Sequence, residues 1–122
     1  MPDSIGALPE TVFKTLVARN DKNEFLVFVI PGNFELNLKK AAKASHSKRV
    51  EMIKVKELLA VTGYIRGGCS PIGMKKSFPT FIDETARLHD KIYVSAGIRG
   101  MQICLSWLDL LNAAEGTFAD LT

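Results

Sequence analysis

Short apolar runs alternate along the chain with polar or glycine-containing stretches, and this pattern predicts several short strands. Six runs are rich in β-branched and aromatic residues, at 11–18, 25–30, 50–53, 80–83, 92–95 and 101–105. The run 25–30 is apolar at every position, which indicates a strand covered on both faces and stopped by Pro31 and Gly32.

Three other segments have helical spacing and recognisable ends. Asn37 is a candidate N-cap for a helix that runs through Ser45, and Gly63 is a candidate C-cap for a helix over 55–61. A last helix over 106–114 has Ser106 as its candidate N-cap. The elements do not alternate regularly as βαβ units, so we expect an α+β fold with a mixed or antiparallel sheet.

Composition is that of one ordinary globular domain spanning 1–122, with 47% hydrophobic and 24% charged residues. No apolar run approaches the roughly 20 residues that span a bilayer, and no signal peptide is evident, so we expect a cytoplasmic protein without membrane contact. The net charge of +3 permits an anionic partner but does not require one.

The stretch 62–76 contains four glycines and one proline, a composition that excludes a helix or a central strand. Adjacent backbone N–H groups at Gly67 and Gly68 could face one oxygen of an ester, a ribose or a phosphate. A long structural turn explains the same composition, and the glycine spacing matches neither a Walker A nor a Rossmann pattern.

Lys14 stands out because it lies inside an apolar strand. Alternation puts its side chain on one face with Val12 and Leu16. Such a lysine either lines a pocket or reaches the rim and protects an exposed sheet edge.

The sequence gives little support for a serine nucleophile or a metal site. His46 and His89 lie in polar turns, no serine stands in a G-x-S-x-G motif, and the cysteines and histidines lack zinc spacing, so we expect no metal or cofactor. Cys69 is interpreted as a small structural residue, and Asp83 either caps a turn or lines a cleft. Four lysines could meet phosphate or form a solvated helix face: Lys39, Lys40, Lys43 and Lys48.

Six blocks resemble, in order, the YbaK/EbsC family, which includes Cys-tRNA(Pro) deacylases and the editing domain inserted in bacterial prolyl-tRNA synthetases. They are residues 12–16, 36–44, 62–76, 79–83, 92–97 and 118–121. The long pattern T-G-Y-x-x-G-G-x-S-P-x-G-x-K-K at 62–76 is similar to the YbaK branch rather than to the alanine-editing branch.

The resemblance implies a twisted mixed sheet surrounded by short helices, and hydrolysis of mischarged aminoacyl-tRNA, above all Cys-tRNA(Pro), at the tRNA 3′ end. It gives Lys14 a role essential for activity, in holding the terminal ribose or phosphate. It places Gly67 and Gly68 near the substrate carbonyl and Ser95 on the pocket wall. The resemblance further implies a set of substrate-binding residues: Tyr64, Ser70, Pro71, Asp83, Gly97 and Gln102.

In the YbaK branch the thiol of the substrate cysteine attacks its own ester, so no protein nucleophile is implied.

Two departures from the family pattern motivate a second hypothesis. The segment before the lysine strand is shorter than in the family and lacks a pocket tyrosine, and Gln102 stands where the branch has an aspartate. The chain would then be a catalytically weak module that docks tRNA or an aminoacyl-tRNA synthetase such as prolyl-tRNA synthetase. A homodimer, with the partner supplying the missing wall, is a third hypothesis.

Overall fold

A computed structural model describes residues 9–63, 70–72, 78–97 and 100–122. The predicted α+β class is confirmed, with a mixed sheet and short helices. In chain order the strands and helices are β1 (Phe13–Asn20), β2 (Phe25–Pro31), α1 (Leu38–Ala44), β3 (Val50–Met52), α2 (Val55–Thr62), β4 (Thr80–Asp83), β5 (Ile92–Ser95), β6 (Gln102–Leu105), α3 (Trp107–Ala114) and β7 (Gly116–Ala119).

Five of the strands form the central sheet in the order β3-β1-β2-β4-β7. β1 and β2 make an antiparallel hairpin, and β3 is antiparallel to the far end of β1. β4 and β7 add parallel strands on the other side of β2. β5 and β6 form a separate antiparallel pair that meets the start of β1 through a single bridge between Val12 and Tyr93.

The central sheet buries apolar side chains on both faces, as the uniformly apolar run of β2 predicts. One core lies under β5, β6 and α3 and contains Phe13, Val17, Val27, Val29, Ile82, Ala86, Ile92, Val94 and Leu110. The second core lies under α1 and contains Ala18, Leu26, Phe28, Ile30, Ala41, Ala42, Val50 and Leu121. Alternate residues of β1 and β2 belong to opposite cores because successive side chains of a strand point to opposite faces.

The predicted helix ends are confirmed by their hydrogen bonds. The Asn37 side chain accepts from two backbone N–H groups in the first turn of α1, and the Ser106 hydroxyl accepts from the Asp109 N–H at the start of α3. Gly63 closes α2 in the left-handed conformation, with φ of 82°, which glycine adopts without a Cβ penalty.

The first strand runs two residues further than predicted, because Arg19 and Asn20 belong to β1 rather than to the polar connection. The Arg19 guanidinium lies 5.1 Å from the centre of the Phe25 ring, so the side chain gains contacts that compensate for its charge. Asn20 closes the hairpin, since its side-chain oxygen accepts from the N–H groups of Lys22 and Glu24.

Three elements have no counterpart among the predicted ones. Two are 3-10 helices, Pro9–Thr11 before β1 and Glu84–Leu88 after β4, and the third is β7, which pairs in parallel with β4. Within the described ranges, no helix is long and apolar enough to cross a membrane.

Candidate functional site

A cavity of about 800 Å³ lies along the edge of β1 that faces away from β2. β3 pairs only with Ala18–Asn20 of β1, and the bridge to β5 is at Val12, just before β1. Within the described ranges, the stretch of β1 between these two positions has no strand paired to its edge opposite β2. The cavity occupies this gap.

The hydrogen-bond register shows which backbone groups border the cavity. The Gly32 N–H donates to the Val12 carbonyl at 2.7 Å, so even-numbered residues of β1 direct their backbone groups towards β2. Odd-numbered residues face the other way, as in the bond from the Ile53 N–H to the Val17 carbonyl at 3.3 Å. The backbone N–H and carbonyl of Thr15 therefore point to the cavity side.

The cavity walls come from five parts of the chain and combine apolar and polar groups. The lining residues are Val12, Phe13, Lys14, Thr15, Leu16, Val17, Gly32, Glu35, Leu36, Leu38, Met52, Ile53, Lys54, Leu58, Ser95 and Gln102. A mostly apolar cavity with a few convergent polar groups is typical of a site for a small ligand.

Lys14 lines the cavity on the side of α1, on the same face of β1 as Leu16. Its ammonium lies 3.9 Å from the Glu35 carboxylate, and the two side chains are 32% and 96% exposed. An ion pair this long and exposed is weak, so the lysine remains available to an anionic or carbonyl group of a ligand.

Ser95 and Gln102 face each other across the end of the β5–β6 hairpin, and both line the cavity. The turn between them uses Gly97 and Gly100, which have φ of 96° and 87°. The Gly97 N–H donates to the Ser95 hydroxyl oxygen at 3.2 Å. Because this oxygen acts as the acceptor, the hydroxyl proton of Ser95 is free to be donated to a ligand.

Two buried polar atoms on the cavity walls lack a hydrogen-bond partner among the described residues, Thr15 Oγ1 and Gln102 Oε1. Leaving a buried polar atom unpaired costs about 1–3 kcal/mol, so a bound group that pairs with it recovers that free energy. Gln102 Oε1 accepts only and suits a ligand N–H, whereas the Thr15 hydroxyl either donates or accepts. Sequence analysis did not single out Thr15, because a threonine in a strand is ordinary.

The wall formed by α2 is fixed to the sheet by an ion pair. Arg19 on β1 donates to the Glu57 carboxylate at 2.6 Å, and the Lys54 N–H donates to the same carboxylate at 3.3 Å. These hydrogen bonds, that of Arg19 above all, hold the pKa of Glu57 below its usual value. The pair keeps the start of α2 beside β1, where Lys54 and Leu58 reach the cavity.

Tyr93 and Cys104 are cross-strand neighbours on β5 and β6, on the face that also carries Ser95 and Gln102. The hydrogen bond with the Cys104 thiol raises the pKa of the Tyr93 hydroxyl, so this phenol stays protonated at neutral pH. In the part of the chain described, no three His, Cys, Asp or Glu side chains are grouped closely enough to hold a metal ion.

The structure thus brings Lys14, Ser95 and Gln102 to one cavity, and other predicted site residues lie elsewhere. Ser70 and Pro71 are buried, and the Ser70 hydroxyl accepts from the N–H of the residue two positions on. Neither belongs to the cavity lining. Tyr64, Gly67, Gly68 and Cys69, which complete the predicted loop, lie outside the described residues.

Asp83 is 1% exposed and lies at the end of β4, away from the cavity lining. Its carboxylate accepts from the N–H and hydroxyl of Thr85 and from the Leu121 N–H at 2.9 Å. Of the two interpretations offered for this residue, the geometry favours the turn cap, because its oxygens already have structural partners.

The fold and the cavity together define a small α+β domain with a partly polar cavity at an open sheet edge. Comparison with known proteins gives the family. The sequence profile of the aminoacyl-tRNA editing domain matches residues 1–113, and the chain belongs to that family.

Relatives of known name agree with this assignment. The chain is 55% identical over 120 residues to the candidate Cys-tRNA(Pro)/Cys-tRNA(Cys) deacylase EbsC of Enterococcus faecalis, covering 98% of this chain and 73% of that one. It is 30% identical over 98 residues to a proline--tRNA ligase of Shouchella clausii, covering 80% of this chain and 17% of the ligase. Among solved structures, a candidate trans-editing enzyme for prolyl tRNA synthetase superposes with a TM-score of 0.89 at 24% identity, over 99% of this chain and 76% of that one.

Proposed function

We propose that this protein hydrolyses mischarged aminoacyl-tRNA in trans, with Cys-tRNA(Pro) as its main substrate. The observation that carries the proposal is the meeting of Lys14, Ser95 and Gln102 on one cavity of about 800 Å³. That volume lies within the range of about 300–1,000 Å³ that small-molecule ligands occupy, and it suits the terminal aminoacyl nucleotide of a tRNA. The name of the 55% identical relative supports the choice of substrate.

Each polar group has a role in this proposal. The ammonium of Lys14 holds an oxygen of the terminal ribose or phosphate, since a lysine acts as a mobile point charge. The Ser95 hydroxyl donates to the substrate, and Gln102 Oε1 accepts from its α-amino group. Backbone N–H groups at Gly67 and Gly68 polarise the ester carbonyl, as in an oxyanion hole.

The chemistry of the cavity favours a reaction in which the substrate supplies the nucleophile. Among the described residues, no histidine belongs to the lining, so no imidazole lies there as a base for the Ser95 hydroxyl. In the proposed reaction the cysteine sulfur bonds to its own ester carbon and the bond to the ribose oxygen breaks. The thiol proton passes to that oxygen, and water then opens the thiolactone. The protein contributes orientation and charge stabilisation.

Hydrolysis of Cys-tRNA(Pro), Cys-tRNA(Cys) and Ala-tRNA(Pro) tests the proposal, with the Lys14→Ala variant as control. We expect the wild type to release cysteine faster than alanine, because alanine has no thiol. Release no faster than that of the control on all three substrates would exclude the enzyme.

One observation favours a second function, a module that binds tRNA or a synthetase with little turnover. Gln102 provides an unpaired acceptor but no negative charge for a substrate ammonium. Salt-dependent tRNA binding without hydrolysis in the same assays would support this alternative.

The same proposal implies where the protein works and with which partners. Charged tRNA and the synthetases that produce it are cytoplasmic, so we place the protein there. Prolyl-tRNA synthetase is the proposed partner, because editing domains of this kind occur within proline--tRNA ligases of the relatives. Co-sedimentation of the two proteins tests the association, and the mass of the protein in solution tests the homodimer hypothesis.

A further inference from the structure

The outer face of α1 carries two lysines that the cavity does not use. The helix buries Ala41 and Ala42 against the sheet, which turns Lys39 and Lys43 to the opposite side, and both are exposed. Residues four apart lie on one helix face, about 6 Å apart along its axis. Lys48 continues this row beyond the end of the helix and is also exposed.

The remaining lysine of the helix, Lys40, differs from Lys39 and Lys43 because it has a structural role. Lys40 donates to Asp120 and to the Thr122 carbonyl, both at 3.2 Å, and so ties α1 to the end of β7. Among the described residues, neither Lys39 nor Lys43 takes part in an ion pair. Asp120 is therefore already paired with Lys40.

Charge differs between the two sides of the central sheet. The side that carries α3 and the 3-10 helix Glu84–Leu88 exposes four acidic residues, namely Glu84, Asp90, Asp109 and Glu115, and two basic ones, Arg87 and Lys91. Ala86 and Leu110 place these two elements on the core opposite to that of α1. This distribution of charge favours the approach of a polyanion from the α1 side.

The lysine row also begins at the cavity. Leu36 and Leu38, which precede and start α1, line the cavity wall next to Lys14. From there α1 runs alongside β1 to the hairpin end, where Ser47 accepts from the Asn20 side chain at 3.2 Å. A strand whose last nucleotide enters the cavity can therefore pass over Lys39, Lys43 and Lys48 in turn.

We propose that the outer face of α1, formed by Lys39 and Lys43 and continued by Lys48, binds the phosphate backbone of the tRNA acceptor end while the 3′-terminal nucleotide occupies the cavity. This inference rests on the proposed function for its substrate. It adds the surface that recognises the nucleic acid. Lysines on an exposed helix face contact phosphates without reading sequence, so the row increases affinity for any tRNA.

The test compares Lys39→Glu, Lys43→Glu and the double variant with Lys91→Glu, which makes the same single charge change before β5 on the other side of the sheet. Two readouts are needed. One is the affinity for uncharged tRNA as a function of salt. The other is kcat/KM on full-length aminoacyl-tRNA and on an aminoacylated adenosine, which represents the 3′-terminal nucleotide alone.

We expect the double variant to bind full-length tRNA roughly tenfold more weakly, with the slope of log K against log salt reduced by about 2, one for each lost phosphate contact. Hydrolysis of the aminoacylated adenosine should be unchanged, because it fills only the cavity and does not reach Lys39 or Lys43. An equal loss in Lys91→Glu, or an unchanged salt slope, would overturn the proposed surface, as would a wild type that binds no tRNA. Binding that responds as expected in a protein without turnover would support the surface while rejecting the deacylase.

Discussion

Replacement of Lys14 by methionine separates a role in the site from a role in the fold. Methionine keeps the unbranched, apolar stem that lies along the cavity wall and removes only the ammonium. The Glu35 partner is 96% exposed, so its carboxylate remains hydrated when the lysine charge is lost. Exposed ion pairs contribute about 0–1 kcal/mol to stability, and we expect the free energy of unfolding to change by no more than that.

Catalysis should respond more strongly than stability. A hydrogen bond to a charged group contributes about 1.5–3 kcal/mol, which corresponds to roughly a 10- to 150-fold fall in kcat/KM. Hydrolysis of Cys-tRNA(Pro) at substrate concentrations well below KM measures this ratio, together with the denaturation midpoint of each variant. Lys54→Met, at another cavity-lining lysine, is the matched control and should lose much less activity.

Two results would refute the role of Lys14. A kcat/KM within twofold of the wild type would mean that the ammonium makes no contact that matters in the transition state. A loss of activity that follows a loss of stability, or that Lys54→Met shares in full, would mean that the residue acts through the fold or through general charge.

Three further substitutions test how the fold holds the site. Asp83→Ala leaves the buried Leu121 N–H without its acceptor, so urea denaturation should show a loss of about 1–3 kcal/mol in stability. If Asp83 only caps the turn, the substrate preference of the variant should be unchanged. In Gly116→Ala the added Cβ would lie 2.8 Å from the Ile82 Cδ1 in the core. This overpacking should lower the stability by about 1–3 kcal/mol. An unchanged melting temperature would show that the core rearranges to accept the extra methyl group without loss of stability. Glu57→Gln should lower stability at neutral pH. Because the folded pKa of Glu57 is depressed, the contribution of Glu57 to stability is present above its usual pKa of 4.5 and is lost as pH falls through the folded pKa. The difference in unfolding free energy between variant and wild type should therefore disappear in acid. A difference that stays constant with pH would contradict the ion pair.

Elements with strong local signals were predictable from the sequence, and the pairing of strands was not. The ends of the helices follow from single residues, as Asn37, Gly63 and Ser106 illustrate. By contrast, β7 contains a glycine and only four residues, and its identity as a strand depends on the partner that β4 provides. Local propensity carries no information on such a partner, since β-propensity mainly reflects packing against neighbours.

Part of the site was predictable for a related reason. A lysine within an apolar strand is locally unusual, so Lys14 was singled out, and the structure places it on the cavity wall. The residue type of Thr15 is common in strands, and its importance arises only because its hydroxyl lacks a partner beside a strand edge. Asp83 shows the converse, because a polar residue at a strand end fits a cleft and a cap equally well until its partners are known.

The short length of the neighbouring strands explains why a cavity forms at this edge. β3 has three residues and stops at Met52, where the chain turns into α2, while β5 forms its β-bridge at Val12, just before β1. If either strand ran further along β1, its backbone would pair with Thr15 and close the gap. The chain instead leaves β1 open between them and fixes the α2 wall through the ion pair of Arg19 and Glu57. An unpaired sheet edge usually invites pairing with another chain. Here the same edge borders the cavity lined by Lys14 and its neighbours, so a substrate can bind where a further strand would otherwise pair.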